Sequence, residues 1–178
     1  MILSDYDIKG MVRSGRLVIK PFFNDTIREN GIDMRLSDEI ARHALHSDKF
    51  VMDPCKEDAI KSGFKLEHGL KKMVLDAKEQ VLLSTLEYIE VPEDVAGFVE
   101  LRSTWARHGL SMPPTIVDAG FKGTITLEVI NNAPYKILLK PHERFAHVIF
   151  VKLASKAEAA YSGFYKGQKG IKLPQPLK

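Results

Sequence analysis

From residue 74 onward the chain is a succession of short apolar runs separated by turn residues, and this spacing constrains the fold more than any other feature. The runs fall at 81–85, 86–91, 96–101, 115–117, 124–130, 136–139 and 145–153, with turns such as Pro92-Glu93-Asp94 between them. Strands of this length at intervals of roughly 8–12 residues predict a sandwich or barrel-like all-β architecture. One helical turn interrupts the series at 104–108, with Ser103 expected as its cap and Gly109 as its stop.

The first 73 residues are less regular. Residues 4–14 suit a short helix: Ser4 can cap it, Asp5 and Asp7 lie in the first turn, and Ile8, Met11 and Val12 share a face. Residues 17–20 read as a strand ended by Pro21. Residues 32–42 are ambiguous, although Ile32, Met34 and Leu36 alternate with Asp33 and Arg35 as a strand would. Residues 43–72 are polar and carry weak signals.

At 178 residues, with 44% hydrophobic and 28% charged side chains, the chain has the size and composition of one globular unit, expected to span 1–178. The single cysteine, Cys55, excludes an intramolecular disulfide and a multi-cysteine zinc cage. No apolar run approaches the roughly 20 residues of a membrane span, and the acidic start MILSDYDIKG is not a secretory signal, so a cytoplasmic protein without a membrane partner is expected. The net charge of +3 is too small to indicate nucleic-acid binding. Its distribution says more. From 152 to 178 there are six lysines against one acid, Glu158. Such a segment, from about 155 to 178, is either a solvated tail or a flexible basic arm that meets an anion.

Three stretches carry candidate chemistry. In 123–131, Ile125, Leu127 and Val129 point to one face of a strand, while Thr124, Thr126 and Glu128 point to the other, where Glu128 is either solvated or aimed into a site. In 101–109, Ser103 and Arg107 share a helical face, and Arg102 precedes the turn. Two guanidinium forks beside a helix start suit phosphate oxygens, and they equally suit a capped surface turn. In 117–123, Gly120 and Gly123 permit a tight turn. Asp118 enters it as a turn former or as a partner for a sugar hydroxyl or water.

The runs RSTWARHGL, VDAGFKGTITLEVIN and YSGFYKGQKG, in that order, together with MILSDYDI and TIRENGIDMRL, resemble an archaeal-type member of the dCTP deaminase family within the dUTPase-like superfamily, from about residue 1 to 171. The resemblance implies a distorted jelly-roll β-barrel with a few short helices. It implies a homotrimer with active sites between subunits, and hydrolysis of dCTP to dUTP and ammonia. Mg²⁺ would enter with the triphosphate, and zinc would not be used. Independently, the H-x-E and P-C-x-x-C motifs of zinc deaminases are missing from the sequence.

Residue by residue, the resemblance makes Glu128 the catalytic acid–base. Ser103 and Arg107 would contact the nucleophilic water and the base, and Arg102 the phosphates. Pro114 would offer its carbonyl to the cytosine amino group. Asp118 would accept from the 3′-hydroxyl, and Phe121 would pack on the deoxyribose and exclude a 2′-hydroxyl. Tyr161 and Gln168 would contact phosphate and base from the arm. Lys166 and Lys169 join them on charge alone. The chain departs from several relatives at Phe164, where they carry lysine, and at Pro114, where many bacterial relatives have alanine. Some relatives also cleave dUTP to dUMP and pyrophosphate, and some do only that, through an aspartate at the position of Asp118. A non-catalytic nucleotide-binding regulator is the remaining alternative.

The six histidines show no metal-ligand spacing and read as structural. His43 and His46 are three apart on a possible helix without an evident third ligand. Cys55 has no identifiable base partner, Lys71-Lys72 reads as a solvated pair, and Trp105 as packing.

Overall fold

The computed structural model describes residues 1–44 and 50–178. The order of elements begins α1 (Asp5–Arg13), β1 (Val18–Lys20), β2 (Ile27–Arg28), β3 (Gly31–His43), α2 (Glu57–Ser62) and β4 (Phe64–Glu67). It continues with β5 (Met73–Leu75), β6 (Gln80–Thr85), β7 (Tyr88–Glu90), β8 (Val95–Leu101) and α3 (Ser103–Arg107). It ends with β9 (Leu110–Ser111), β10 (Thr115–Val117), β11 (Lys122–Gly123), β12 (Thr126–Asn131), β13 (Ile137–Leu139) and β14 (Arg144–Lys152). Among the described residues no helix is long and apolar enough to cross a membrane.

The expected β architecture is present. One large antiparallel sheet runs β10-β8-β14-β3-β6-β12-β9, and β2 and β4 also pair with β3. Two smaller sheets, β1-β7-β11 and β13-β5, accompany it. The ambiguous stretch 32–42 lies inside β3, a strand of 13 residues. β3 joins the two halves of the large sheet. Its first half pairs with β14, Ile32 opposite Val148. Its second half pairs with β6 and β4, Ala41 opposite Leu82 and Leu66. A register shift between Leu36 and Ile40 separates the halves and turns the sheet, as an irregularity in a ladder does. Leu36, Ile40, Leu83, Leu127, Phe145 and Phe150 fill the space enclosed by this curl, all fully buried.

The N-terminal helix forms as expected. The Ser4 hydroxyl accepts from the Asp7 N–H, the Asp7 carboxylate accepts from the Ser4 N–H, and Ile8 and Met11 are buried. The cap of α3 differs from expectation. The helix begins at Ser103 itself, Arg102 occupies the cap position in extended conformation, and no side chain caps the turn. Ser103 is already helical, so its hydroxyl does not reach forward to a free N–H as a cap would. Gly109 follows with φ of 99°, which fits the expected stop. His43 ends a strand rather than occupying a helix, and His46 lies outside the described residues.

Candidate active site

The register of three strands builds the floor of a cavity of about 570 Å³. Glu128 on β12 lies opposite Leu82 on β6, and Leu82 lies opposite Ala41 on β3. Directly opposed side chains share a face, so this row is one line of the floor. Two residues further along each strand stand the neighbours on the same face: Thr126 beside Glu128, Gln80 beside Leu82, and Glu39 and His43 on either side of Ala41. The expected division of β12 holds. Leu127 and Val129 are buried in the core and Thr126 and Glu128 line the cavity, while Ile125, just before the strand, is buried and also borders the cavity. Thr124 departs from it. It precedes the strand and is buried under the C-terminal segment, where its hydroxyl donates to the Gly170 carbonyl at 3.1 Å.

Glu128 is half-buried, and among the described residues no other side chain pairs with its carboxylate. Burial pushes its carboxyl above the ordinary glutamate value, with only its own backbone N–H acting against the shift. A carboxylate desolvated without a paired cation is poised to exchange protons.

The wall opposite the floor begins at the end of β10. Val117 leads into Asp118, exposed at the rim, and the Phe121 N–H donates to the Asp118 carbonyl at 3.0 Å to close the turn. Gly120, with φ of 82°, packs so tightly on the C-terminal segment that a Cβ would lie 2.7 Å from that of Ala160. This turn seats the buried Phe121 ring against Tyr161, with ring centroids 5.8 Å apart. The basic arm then crosses the cavity. The Thr124 N–H donates to the Gln168 carbonyl at 3.0 Å, and Gln168 Nε2 donates to the Thr124 carbonyl at 2.6 Å. Gln168 is buried, and its Oε1 has no hydrogen-bond partner. A buried acceptor left unanswered by the protein is a natural contact for a ligand N–H.

The structure therefore gathers Glu128, Asp118, Phe121, Tyr161 and Gln168 around one space. It does not bring Arg102, Ser103, Arg107 or Pro114 to that lining. β8 explains the separation. Val117, next to Asp118, lies opposite Gly97, whereas α3 leaves the sheet after Leu101. Four strand residues amount to roughly 13 Å. Ser103 and Arg107 are exposed. Arg102 is engaged elsewhere, its Nε 3.3 Å from Asp33 Oδ2 and its Nη1 donating to the Arg144 carbonyl. Trp105 packs on Phe145 and donates to the same carbonyl at 2.9 Å.

The two lysines chosen on charge do not line the cavity. Lys166 borders a different polar hollow with Lys122 and Lys156, and Lys169 is exposed. Lys172 lines the cavity instead, its Nζ donating to the Phe164 carbonyl at 2.7 Å and lying 4.0 Å over the Phe164 ring. The lysine surplus of the tail pointed to such a group without indicating which lysine turns inward. His43, read as structural, also lines the cavity, stacked on Phe64 at 4.8 Å. Among the described residues no three His, Cys, Asp or Glu side chains gather as a metal site.

A curled antiparallel sheet of this kind is the dUTPase-like fold. The structure is similar to that of 2′-deoxycytidine 5′-triphosphate deaminase from Agrobacterium tumefaciens, with a TM-score of 0.66 and 17% identity over 84% of this chain. This chain covers 46% of that longer protein. It is similar also to a Staphylococcus bacteriophage 80α dUTPase mutant, with a TM-score of 0.51 and 14% identity, over 83% of this chain and 97% of that one. The sequence pattern of the dCTP deaminase-like family matches residues 2–153, and the chain belongs to that family. Among its curated relatives, the dCTP deaminase of Pyrobaculum arsenaticum is 44% identical over all of this chain and 98% of its own. The dCTP deaminase of Sulfurisphaera tokodaii is 48% identical over 98% of this chain and 92% of its own.

Proposed function

We propose that this chain catalyses the hydrolytic deamination of dCTP to dUTP and ammonia in the cytoplasm, with Glu128 as the acid–base. The observation that carries the reading is a half-buried carboxylate without a paired cation on the floor of a cavity whose other walls are Asp118, Phe121 and the basic arm. Glu128 takes a proton from water as the water oxygen bonds to C4 of the cytosine. It gives that proton to N3, then takes the remaining proton from the new C4 hydroxyl and delivers it to the amino group, which leaves as ammonia as the C4–N4 bond breaks and C4=O forms. Burial serves both halves of the cycle, because a carboxyl with a raised pKa gives the proton back more readily. The open Gln168 Oε1 faces the base, Phe121 fills the space a 2′-hydroxyl would need, and Asp118 at the rim meets the 3′-hydroxyl. The Pro114 carbonyl, outside the lining but next to Thr115 which borders it, is the acceptor for the cytosine amino group.

The phosphates are met by Lys172 from the arm and by Arg102 of another copy in a homotrimer, whose Ser103 and Arg107 meet the nucleophilic water and the base. Two features support sharing. These three residues are absent from the lining of their own chain's cavity, and the strands beside it present an exposed apolar row, Phe98 opposite Ile116, 44% and 59% exposed. Such a row is suited to burial against a second copy. Mg²⁺ would be held by triphosphate oxygens, since the described residues supply no carboxylate trio for it, and its charge would offset that of the phosphates. No zinc is invoked.

The test is product analysis with dCTP and Mg²⁺, with dUTP in parallel. Glu128→Gln is expected to lower ammonia release by about 10²–10⁴-fold while leaving nucleotide binding in place. Unchanged release overturns the assignment. Appearance of dUMP and pyrophosphate from the native protein would add dUTP cleavage through Asp118. Binding without turnover would make the chain a nucleotide-binding regulator.

A further inference from the structure

We propose that Glu39 is a positioning residue for the reaction: its carboxylate catches the backbone of the C-terminal arm and fixes the arm across the Glu128 cavity. For its catalytic consequence this inference rests on the deaminase reading; for its structural content it does not.

After Lys152 the chain has no regular ladder and crosses the floor held by individual hydrogen bonds. Toward β12 the holds are Thr124, which binds Gln168 and Gly170, and the Thr126 hydroxyl, which accepts from the Lys172 N–H at 3.2 Å. On the far side of β6 the hold is Glu39, whose Oε2 accepts from the Ile171 N–H at 2.9 Å. Residues 170–172 thus bridge the strands on either side of β6. The Glu39 bond is the charged member of the set, in a site where its side chain is only 20% exposed, and charge-assisted bonds of this kind exceed neutral ones. The His68 Nδ1 stands 3.8 Å from the other oxygen, Oε1, and that side chain is mostly exposed.

Gly170 is shaped to the catch. Its φ is 68°, and a Cβ there would lie 2.4 Å from Glu39 Oε2 and 2.6 Å from Oε1. Both the backbone conformation and the seat of the carboxylate require glycine. Tyr161, Gln168 and Lys172 reach the cavity from this arm, so releasing residues 170–172 withdraws their contacts and admits water beside Glu128.

Two variants test the catch, Glu39→Ala and Gly170→Ala. Tryptic cleavage at Lys169 and Lys172 is followed without nucleotide, and kcat and KM for dCTP are measured on the same full-length proteins. Each variant is expected to be cleaved about 10-fold faster and to show a KM raised about 10-fold with a smaller change in kcat, as loss of one charge-assisted hydrogen bond predicts. Glu39→Gln retains an acceptor oxygen and should restore most of the protection. Native cleavage rates in both alanine variants overturn the catch. Faster cleavage with unaltered KM overturns its role in the reaction. Faster cleavage in a protein whose native form does not turn over dCTP leaves the catch standing and removes the deaminase reading.

Discussion

The two halves of the large sheet that β3 joins hold one acid each in opposite settings, Asp33 on the first half of β3 and Glu128 on β12. In the first half Asp33 is buried and fully engaged: Arg102 and Arg144 lie 3.3 and 3.2 Å from Oδ2, and His147 Nδ1 is 2.9 Å from Oδ1. Burial alone would raise the Asp33 carboxyl. The His147 hydrogen bond and the charges of Arg102 and Arg144 outweigh it and hold the carboxyl below the ordinary range. Nearby, Arg35 is bracketed by Glu87 and Asp25 and lies 4.0 Å over the Phe23 ring. Beyond the register shift the same strand presents His43 to the cavity and holds the Ile171 N–H with Glu39, and on β12 Glu128 lines the same cavity without a paired cation, so its burial goes unanswered. In one half Asp33 spends its charge on holding strands together. In the other Arg42 does the same with Glu67 and Glu79, while Glu128 has no paired cation, a setting suited to proton transfer.

The largest effect that would sharpen this contrast lies in the paired half. Glu87 is fully buried. It accepts from the Arg35 N–H at 2.7 Å and from the Arg35 guanidinium at 3.1 Å, and burial still pushes its carboxyl up. Arg35→Met strands this group and is expected to destabilise the protein by about 3–5 kcal/mol in denaturant unfolding. Adding Glu87→Gln removes the charge, keeps an acceptor for the Arg35 backbone, and should recover at least half of that loss. If the single variant unfolds with the native midpoint, the paired half is not a source of stability and the contrast fails.

An effect of intermediate size concerns the free carboxylate. Glu128 must be ionised to accept a proton from water, and its burial raises the pH at which it ionises. The acid limb of kcat/KM is therefore expected above the ordinary glutamate value of 4.5, falling about 10-fold per pH unit below the limb. A limb at or below that value would show that Glu128 is solvated in the working enzyme.

Much of this arrangement is legible in the sequence, and the parts that are not share a cause. The period of two along 124–130 aims Glu128 away from Ile125, Leu127 and Val129, because one face of β12 is core and the other is not. The same period is obscured in β3, where Gly31 to Ser37 are all buried and side chains on both faces are shielded. Partners across a sheet are set by register, so nothing local places Glu39, His43 and Gln80 beside Glu128. The arm has no period at all. Its lysine surplus offers cations without selecting among them, and Lys166 and Lys172 look alike until Gly167 and Gly170, with φ of 75° and 68°, set the path of the chain between them. Ser103 fails as a cap for a similarly local reason, since the extended residue that opens α3 is Arg102.

The smallest effect is the one that most directly opposes the two halves, because it predicts stability changes of opposite sign for two neutralised acids. In the unfolded chain Glu128 ionises near 4.5, and in the folded chain it ionises higher. Below the unfolded value both states are protonated and the group is neutral toward folding. As pH rises through the folded value the native state carries a desolvated charge, and the resulting loss of stability is complete above it. Glu128→Gln never carries that charge. Its melting temperature should exceed the native one by about 1–3 °C at neutral pH, and the two should converge near pH 4, even though the variant is inactive. Asp33 has the reverse shift. Its contribution is present above the unfolded aspartate value and is lost as pH falls through the lowered folded value. Asp33→Asn should therefore melt below the native protein at neutral pH and approach it only in acid. Melting curves of both variants across this range decide the matter. If both acids stabilise the fold at neutral pH, Glu128 has a partner in solution and the free carboxylate on which the chemistry depends does not exist.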